Sequence, residues 1–260
     1  MTQITVKHLW KEYDAQVVLE NVNLHIGDHE FVTIVGASGC GKTTFLRMLL
    51  GMETPSRGEF LIDGKTVPRE PGPDRGIVFQ RYSLFPHLTV LDNLLLGLEL
   101  RGSPILGRLL GARRREAIAR ADRLLDAVGL SAARGKYPAQ LSGGMQQRLS
   151  IAQSVISEPK ILLLDEPFGA LDPGVTADMH QLILKLWNMN KMTIVMVTHD
   201  LKESFYLGTR LLVFDKVRVD SQEQNRFGAT ITYNIPLKGH RSVQHVTESG
   251  RPHGPVISDA

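Results

Sequence analysis

The sequence predicts an α/β fold in which a parallel sheet is joined by an N-terminal antiparallel β subdomain and an inserted α-helical subdomain. Three observations favour this class. A glycine-rich loop at 36–43 lies between an apolar strand at 31–35 and a helix at 44–50. A second run at 161–164 is apolar throughout, which is typical of a buried parallel strand. From Thr89 onward the apolar spacing changes from a period of 2 to one of 3.6, which indicates helices.

Length and composition exclude several classes of protein. The 260 residues can bury a substantial core, and 22% charged and 42% hydrophobic residues are ordinary for a globular protein. A formal net charge of +3 is too small to indicate a nucleic-acid partner. No window approaches the ~20 apolar residues of a transmembrane helix, and the single cysteine, Cys40, excludes an internal disulfide. We therefore expect a cytoplasmic protein that reaches a membrane only through a partner.

The N-terminal residues are expected to form the antiparallel subdomain. The segments 4–6 and 18–26 alternate between apolar and polar residues, as half-buried strands do. Tyr13 lies between them. It is either an ordinary loop aromatic or a ring on which an adenine base stacks, a contact worth ~1–3 kcal/mol in nucleic-acid complexes.

The loop at 36–43 matches the pattern G-x-x-x-x-G-K-[ST], which cradles phosphates. Its glycines let successive backbone N–H groups converge on one anion, and the N-terminus of the following helix adds partial positive charge. Lys42 would contact the β and γ phosphates, and Thr43 would hold Mg²⁺. A glycine turn without a ligand is the weaker alternative, because the flanking strand and helix match the motif's context. The predicted phosphate-loop NTPase core binds a nucleotide through Gly36, Ala37, Ser38, Gly39, Cys40, Gly41, Lys42, Thr43 and Thr44.

Two further strands follow the first helix. One covers 58–62 and leads into a turn at Asp63 and Gly64. The other covers 76–79 and ends at Gln80. A polar residue at the carboxyl edge of an α/β sheet faces the ligand crevice, so Gln80 either reaches the nucleotide or simply begins the next loop.

The next stretch is expected to form the helical subdomain. Thr89 and Asp92 resemble a capping box that opens a helix running to Leu100. A second amphipathic helix is predicted at 113–128. The basic run at its start is most simply a solvated helix face, and contact with acidic lipid headgroups or a partner is the alternative.

A second helix start with uncovered donors follows at Ser142. This residue is a good N-cap, and Gly143 and Gly144 behind it leave the first N–H groups of the helix exposed. One nucleotide needs only one such anion-binding start, and the glycine-rich loop already supplies it. A nucleotide shared between two subunits would use both.

Acidic residues and a histidine follow two predicted strands. Asp165 ends a buried strand and could coordinate Mg²⁺ beside the phosphates, while Glu166 could polarise a water for attack on the γ-phosphate. The alternative is two strand-end acids that lead into a turn at Pro167. His199 follows the strand at 193–197, at the same sheet edge, where we expect a γ-phosphate contact rather than a purely structural role.

The order of these motifs resembles the nucleotide-binding subunit of ABC transporters over about residues 1–215. The segment Leu141-Ser142-Gly143-Gly144-Met145-Gln146 is the most diagnostic part, because other phosphate-loop NTPases lack it. The sequence at 78–93 is similar to that of bacterial importers, and the short chain most resembles the nitrate/sulfonate/taurine branch. Gly208 and Thr209 depart from the Ala-Asp pair that relatives usually carry.

The resemblance implies ATP and Mg²⁺ as cofactors and gives each motif residue a role. Tyr13 would stack on the adenine, and Asp172, which precedes a predicted helix, would communicate across a subunit interface. The implied metal ligands are Thr43, Gln80 and Asp165. The implied catalytic residues are Lys42, Gln80, Glu166 and His199. The residues implied to face the ATP of the other subunit are Ser142, Gly143, Gly144 and Gln146.

The resemblance also implies an ATPase with partners. Two identical or closely similar chains would pack head to tail into a dimer. The dimer would bind transmembrane permease subunits as a peripheral protein at the cytoplasmic face of the inner or plasma membrane. A solute-binding protein would be an indirect partner, and hydrolysis would drive uptake of a small solute.

A domain division follows from the same resemblance. An ATPase domain is expected at 1–215, with a RecA-like core at about 1–88 and 150–215, a helical subdomain at about 89–149, and a short, partly flexible extension at 216–260. Within the extension, alternation at 229–235 predicts an edge strand that ends at Pro236.

Two other functions stay open at this point. One is an ABC-type ATPase outside import, either an exporter or lipid-transport subunit or a non-transport factor. Non-transport factors generally carry a long coiled-coil insertion or two cassettes, and the sequence has neither. The other is an inactive nucleotide-binding regulator, against which the presence of Lys42, Glu166 and His199 argues.

Overall fold

The computed structural model describes residues 2–14, 16–79, 83–102, 107–169, 171–218 and 226–237. Its strands are β1 (Ile4–Tyr13), β2 (Gln16–Ile26), β3 (Phe31–Gly36), β4 (Arg57–Ile62), β5 (Lys65–Thr66), β6 (Arg75–Val78), β7 (Ile161–Asp165), β8 (Thr193–Val197), β9 (Arg210–Asp215) and β10 (Thr230–Pro236). Its helices are α1 (Lys42–Leu50), α2 (Val90–Gly102), α3 (Gly111–Ala127), α4 (Gly143–Val155), α5 (Pro173–Asn190) and α6 (Leu201–Leu207). Within the described ranges, none of the helices is both long enough and apolar enough to cross a bilayer.

The N-terminal subdomain is an antiparallel sheet with the strand order β2-β1-β4-β5. The predicted turn at Asp63 and Gly64 joins β4 to β5, and both residues have positive φ, 52° and 73°, as a two-residue hairpin turn requires. Ile4 and Leu9 of β1 are fully buried. The predicted antiparallel subdomain is confirmed.

The central sheet has the strand order β10-β9-β3-β8-β7-β6. Strands β6, β7, β8, β3 and β9 are parallel, and β10 pairs antiparallel with β9, so the edge strand predicted at 229–235 is confirmed. Parallel strands end at one edge of a sheet, which brings the residues that follow them together. The glycine-rich loop after β3, residues 165–166 at the end of β7, and residues 198–199 after β8 therefore share this edge.

Apolar cores cover both faces of the central sheet. On one face, the Phe45 ring of α1 lies 5.2 Å from the Phe60 ring of the N-terminal sheet and 5.4 Å from the Phe214 ring of β9, measured between centroids. On the other face, residues of α2 to α5, such as Leu94 and Ile183, form the second core. Full burial of a side chain of this size contributes about 1.5–3 kcal/mol. Because α1 is fixed between the two sheets, the loop that leads into it is fixed as well.

Helix α2 begins where the capping pattern predicts. The Thr89 hydroxyl accepts a hydrogen bond from the Asp92 N–H (3.1 Å) and donates one to the Asp92 carboxylate (2.6 Å). Asn93 is fully buried, and its amide donates to the carbonyls of Phe85 and Leu88 and accepts from the Phe85 N–H. A single buried amide thus fixes the loop that enters the helical subdomain.

Helix α3 begins at Gly111, two residues before the start that the apolar periodicity predicts. Helix α4 begins at Gly143, directly after the predicted N-cap residue Ser142. Glycine has low helix propensity, but the Ser142 hydroxyl accepts from the Met145 N–H at 3.3 Å and stabilises this start.

Packing explains why Gly208 and Thr209 stand where relatives usually carry Ala-Asp. The Thr209 hydroxyl accepts from the Phe31 N–H (3.0 Å) and donates to the Phe31 carbonyl (3.2 Å), which connects the end of α6 to β3. A Cβ on Gly208 would lie 2.7 Å from the Ser204 carbonyl oxygen and 3.0 Å from the Thr33 hydroxyl. The close contact between α6 and the sheet therefore requires glycine at this position.

Candidate active site

The phosphate loop (residues 36–43) connects β3 to α1 through two glycines in the left-handed region. Gly39 has φ 77° and Gly41 has φ 94°, conformations that residues with a side chain rarely adopt. A Cβ on Gly41 would also lie 2.8 Å from Leu19 and 2.9 Å from Val18 of β2. The N-terminal sheet thus supports the base of the loop, and the tip of the loop is exposed at Ala37, Ser38 and Gly39.

Lys42 is held against the backbone of this loop. Its side-chain Nζ donates to the carbonyl oxygens of Gly36 (2.8 Å) and Ala37 (2.9 Å). The residue is only 7% exposed. A buried ammonium with two neutral partners is stabilised further by an anion, because burying a charge without a counter-ion is costly. The loop therefore offers a fixed positive charge to a phosphate.

Thr43 and Asp165 form a pair of hard oxygen ligands. The Thr43 hydroxyl lies 3.3 Å from an Asp165 carboxylate oxygen, although 122 residues separate them in sequence. Burial raises the pKa of the Asp165 carboxyl, the Thr43 hydroxyl opposes this shift, and the Glu166 charge adds to it. A cation at this position would relieve the burial cost of the carboxylate.

This pair fits Mg²⁺ in the form that nucleotide enzymes use. In the described part of the chain, no three Asp, Glu, His or Cys side chains are grouped so that they could hold a metal by themselves. Mg²⁺ usually needs only one or two protein ligands, because waters and substrate phosphates complete its shell. A hydroxyl and a carboxylate beside the phosphate loop match that requirement. Gln80, the third predicted ligand, lies outside the described residues.

Glu166 and His199 form a second pair on neighbouring strands. The Glu166 carboxylate lies 3.5 Å from His199 Nδ1, and the His199 side chain is 67% exposed. Glu166 has φ 47°, and its N–H donates to the Val197 carbonyl at 2.9 Å. A left-handed backbone is unusual for glutamate and is often found at functional sites. The pair therefore combines a proton acceptor with an accessible imidazole.

Tyr13 lies at the end of β1, next to the helix that follows the phosphate loop. Its hydroxyl donates to Glu53, and its ring centroid is 4.5 Å from Lys11 Nζ. Burial and the Glu53 hydrogen bond raise the pKa of Tyr13 to about 12, while a hydrogen bond with Thr44 lowers it. The hydrogen bond with Thr44 connects the ring to the first turn of α1, beside the phosphate loop. Sequence patterns do not point to Glu53, because only the folded chain brings it to Tyr13.

The signature segment (residues 141–146) forms the start of α4. Ser142 and Gly143 are exposed, and a Cβ on Gly144 would lie 2.8 Å from the Val175 side chain of α5. The Gln146 amide donates to the carbonyls of Pro138 (3.0 Å) and Leu141 (3.3 Å), within the same part of the chain. The signature segment is thus a preformed, outward-facing helix start.

Gln147, which is not among the predicted site residues, connects this helix to the segment that follows Glu166. It is fully buried and donates its amide to the Pro167 carbonyl at 2.7 Å, immediately after Glu166. A polar residue on the inner side of an otherwise apolar helix face was the available signal.

Two predicted residues remain, Asp172 and Cys40. Asp172 is exposed and precedes α5, and its carbonyl accepts from the Thr176 N–H at 2.9 Å. Cys40 is 4% exposed, and its Sγ lies 4.0 Å from Lys42 Nζ. Burial raises the pKa of the Cys40 thiol.

A glycine loop between strand and helix, with a hydroxyl–carboxylate pair and a glutamate–histidine pair at neighbouring strand ends, defines a phosphate-loop NTPase. The family model described as "ABC transporter" matches residues 19–169, more than half of the chain. The chain belongs to the ABC transporter family.

Similar proteins agree with this assignment. The nitrate import ATP-binding protein of Synechocystis is 42% identical over 220 residues, which cover 85% of this chain and 77% of that protein. The taurine import ATP-binding protein of Rhizobium johnstonii is 43% identical over 195 residues, 75% of this chain and 71% of that protein. A solved dimeric structure, a post-hydrolysis state of an ATP-binding cassette bound to ADP and Pi, is 32% identical with a TM-score of 0.70 and covers 91% of this chain and 99% of that one.

These likenesses confirm several predictions. The α/β phosphate-loop fold, the ABC family and the similarity to the nitrate/sulfonate/taurine branch are confirmed. The chain is accordingly an ATP-binding ATPase coupled to transport. The roles of individual site residues stay predictions.

Proposed function

We propose that this chain hydrolyses ATP to drive uptake of a small solute through a separate transmembrane permease. The observation that carries the proposal is the placement of two pairs, Thr43 with Asp165 and Glu166 with His199, at the ends of neighbouring strands beside the phosphate loop. The import direction is supported by the similar nitrate and taurine proteins, both of which are import ATP-binding proteins.

The metal ion in this proposal is Mg²⁺. Thr43 and Asp165, together with the predicted Gln80, would hold it next to the phosphates. When bound, Mg²⁺ neutralises charge on the β and γ phosphates. The raised pKa of the Asp165 carboxyl, caused first by burial, supports this assignment, because an adjacent cation would favour the carboxylate.

The chain's own residues account for the chemical step. Glu166 takes a proton from a water whose oxygen attacks the γ-phosphorus, and the bond from that phosphorus to the β,γ-bridging oxygen breaks. His199 donates a hydrogen bond to a γ-phosphate oxygen, and Lys42 neutralises the developing charge. Tyr13 stacks on the adenine, and the N–H groups of the phosphate loop orient the triphosphate.

The working unit in this proposal is a head-to-tail dimer. Ser142, Gly143, Gly144 and Gln146 of one chain would face the γ-phosphate held by the phosphate loop of the other, with Asp172 at the interface. A two-fold arrangement closes at two chains and two nucleotides. Hydrolysis removes the γ-phosphate contacts that hold the halves together, so the dimer opens.

Opening and closing of the dimer would be transmitted to the permease through the surface that the two proteins share. The loop after Gln80 and the helical segment 89–140 would form the surface that contacts the permease, which would make the chain peripheral at the cytoplasmic face of the membrane. The Asn93 amide, which fixes the loop at 85–89, supports a rigid coupling surface at this position. A solute-binding protein would act through the permease only.

The test is Glu166→Gln, which removes the proton acceptor but keeps side-chain size. Hydrolysis should fall by about 10²–10⁴-fold, while ATP with Mg²⁺ should produce a stable dimer by size-exclusion chromatography. Glu59→Gln is the control, because Glu59 is exposed and paired with Lys7 on the N-terminal sheet. A Glu166→Gln variant that hydrolyses ATP normally, or stays monomeric with ATP, contradicts the proposal.

A further inference from the structure

A buried polar link joins α5 to the loop that carries His199. Its members are His180 on α5, Glu203 on α6 and Thr198 after β8. The His180 and Glu203 side chains are each 13% exposed. None of the three belongs to the site described above.

Glu203 fixes the backbone around His199. One Glu203 carboxylate oxygen accepts from the Thr198 hydroxyl at 2.5 Å. The same hydroxyl accepts from the Asp200 N–H at 3.1 Å, and the Thr198 N–H donates to the Ile34 carbonyl at 3.1 Å. Of the two residues that flank His199, Thr198 is therefore bonded to the Glu203 carboxylate directly and Asp200 is connected to it through the Thr198 hydroxyl. The His199 side chain between them is 67% exposed.

His180 faces the other oxygen of the same carboxylate. Its Nε2 lies 3.7 Å from Glu203 Oε1, and in the described part of the chain this buried nitrogen has no hydrogen-bond partner. The ring lies between Phe168, edge-on at 4.8 Å, and Tyr206 at 5.5 Å. A relative shift of about 1 Å would bring Nε2 and the carboxylate to hydrogen-bond distance. Both the Nε2–H tautomer and the charged imidazole can donate that bond.

We propose that His180 and Glu203 are positioning residues, which transmit the position of α5 to His199 through Thr198. The inference rests on the proposed function, in which His199 contacts the γ-phosphate and Asp172, just before α5, faces the second subunit. Docking of the partner would move the start of α5. Closure of the His180–Glu203 contact would then orient the His199 imidazole for hydrolysis.

The test compares His180→Leu with His180→Gln in the full chain. Leu removes the donor, so kcat should fall about tenfold while KM for ATP changes less than about twofold, because the phosphate loop and Tyr13 are unaffected. Gln keeps an N–H donor toward Glu203 and should restore kcat to within about twofold of wild type. Glu203→Gln should lower kcat in the same selective way.

His29→Leu is the matched control. His29 is also partly buried, stacks on an aromatic ring (Trp187, 4.6 Å) and has a buried nitrogen without a partner within the described ranges, but it precedes β3 at the opposite end from the site. It should lower the melting temperature without a selective loss of kcat. A purely structural role would make His180→Leu behave like His29→Leu.

The outcomes separate the inference from the proposed function. Wild-type kcat in His180→Leu, or a His180→Gln variant as impaired as His180→Leu, overturns the inference. His199→Ala should bind ATP and fail to hydrolyse it. If His199→Ala hydrolyses ATP like wild type, the proposed function of the site is wrong, whatever the His180 variants do.

Discussion

Two helix starts that carry glycines, the phosphate loop and the signature segment, differ in where their interaction partners lie. At the phosphate loop, Lys42 contacts two carbonyls of its own loop and Thr43 contacts Asp165. At the signature segment, Ser142 caps its own helix. In the part of the chain that the structure describes, no hydrogen bond or ion pair joins residues 141–146 to residues 36–43.

This difference indicates how the ATPase is assembled. Folding alone brings together the phosphate loop, the Thr43–Asp165 pair and the Glu166–His199 pair, since all lie at one edge of one sheet. The signature segment is equally preformed but has its exposed donors directed to solvent. A preformed helix start of this kind can bind an anion. Because it is not bonded to the phosphate loop of its own chain, we infer that it binds the nucleotide of a second chain.

The largest effect is expected from removing the charge of the phosphate loop. Lys42→Ala should reduce hydrolysis by more than about 10²-fold and abolish the ATP-dependent dimer, because the Lys42 ammonium is held against this loop and would neutralise charge on the phosphates. Lys65→Ala, an exposed lysine of β5, is the control. ATP hydrolysis and binding of a fluorescent nucleotide measure the effect, and tight binding by Lys42→Ala would contradict the assignment.

A smaller and more selective effect is expected at the signature segment. Ser142→Ala should lower hydrolysis about tenfold, leave nucleotide affinity of the monomer unchanged, and cost about 1 kcal/mol of stability through the lost cap. Thr89→Ala removes an equivalent cap from α2, so it should cost similar stability but leave hydrolysis intact. If both variants lost hydrolysis equally, Ser142 would act only as a helix cap and not as a nucleotide contact.

Substitutions of Tyr13, the residue proposed to stack on the adenine, test whether a single chain binds the base by itself. Tyr13→Ala should weaken ATP binding by about 1–3 kcal/mol, the cost of a lost stacking contact, and Tyr13→Phe should retain most of the affinity. Tyr233→Ala, at an exposed position of β10, is the control. Binding isotherms with ATP and with inorganic triphosphate distinguish the cases, since only ATP carries the base.

The smallest effect is a stability difference at Asp165. Burial raises the pKa of its carboxyl in the folded chain, so the folded state binds a proton more readily than the unfolded state. The free energy of unfolding therefore falls as the pH rises from the pKa of the unfolded chain to that of the folded chain. Without Mg²⁺ and nucleotide, Asp165→Asn should therefore raise the melting temperature at pH 7.5, and the gain should shrink in acid. Asp178→Asn, in an exposed ion pair with Arg148, should change it by less than about 1 °C. A lower melting temperature for Asp165→Asn would contradict this account.

Local patterns predicted the parts of the fold and site that depend on a few adjacent residues. The phosphate loop, the cap at Thr89 and the turn at Asp63 were each visible in sequence because their geometry follows from neighbouring residues. The start of α4 was predicted in the same way, because Ser142 is a typical N-cap residue, and its hydroxyl accepts from the Met145 N–H although two glycines follow it.

Contacts between distant segments could not be predicted in this way. Glu53 reaches Tyr13 across 40 residues, and Gln147 reaches Pro167 across 20. The His180–Glu203 contact depends on how α5 and α6 pack on the sheet. Each is set by strand order and helix packing, which no single stretch of sequence contains.

The central claim is that the signature segment of each chain contacts the nucleotide bound by the other chain. The most direct measurement mixes two inactive variants, Lys42→Ala and Ser142→Arg, and follows ATP hydrolysis. In a mixed dimer, one site combines an intact phosphate loop with an intact signature segment, so an equal mixture should recover up to about a quarter of wild-type hydrolysis. If both elements served a nucleotide on the same chain, every site would lack one of them. A mixture as inactive as its two components would contradict the claim.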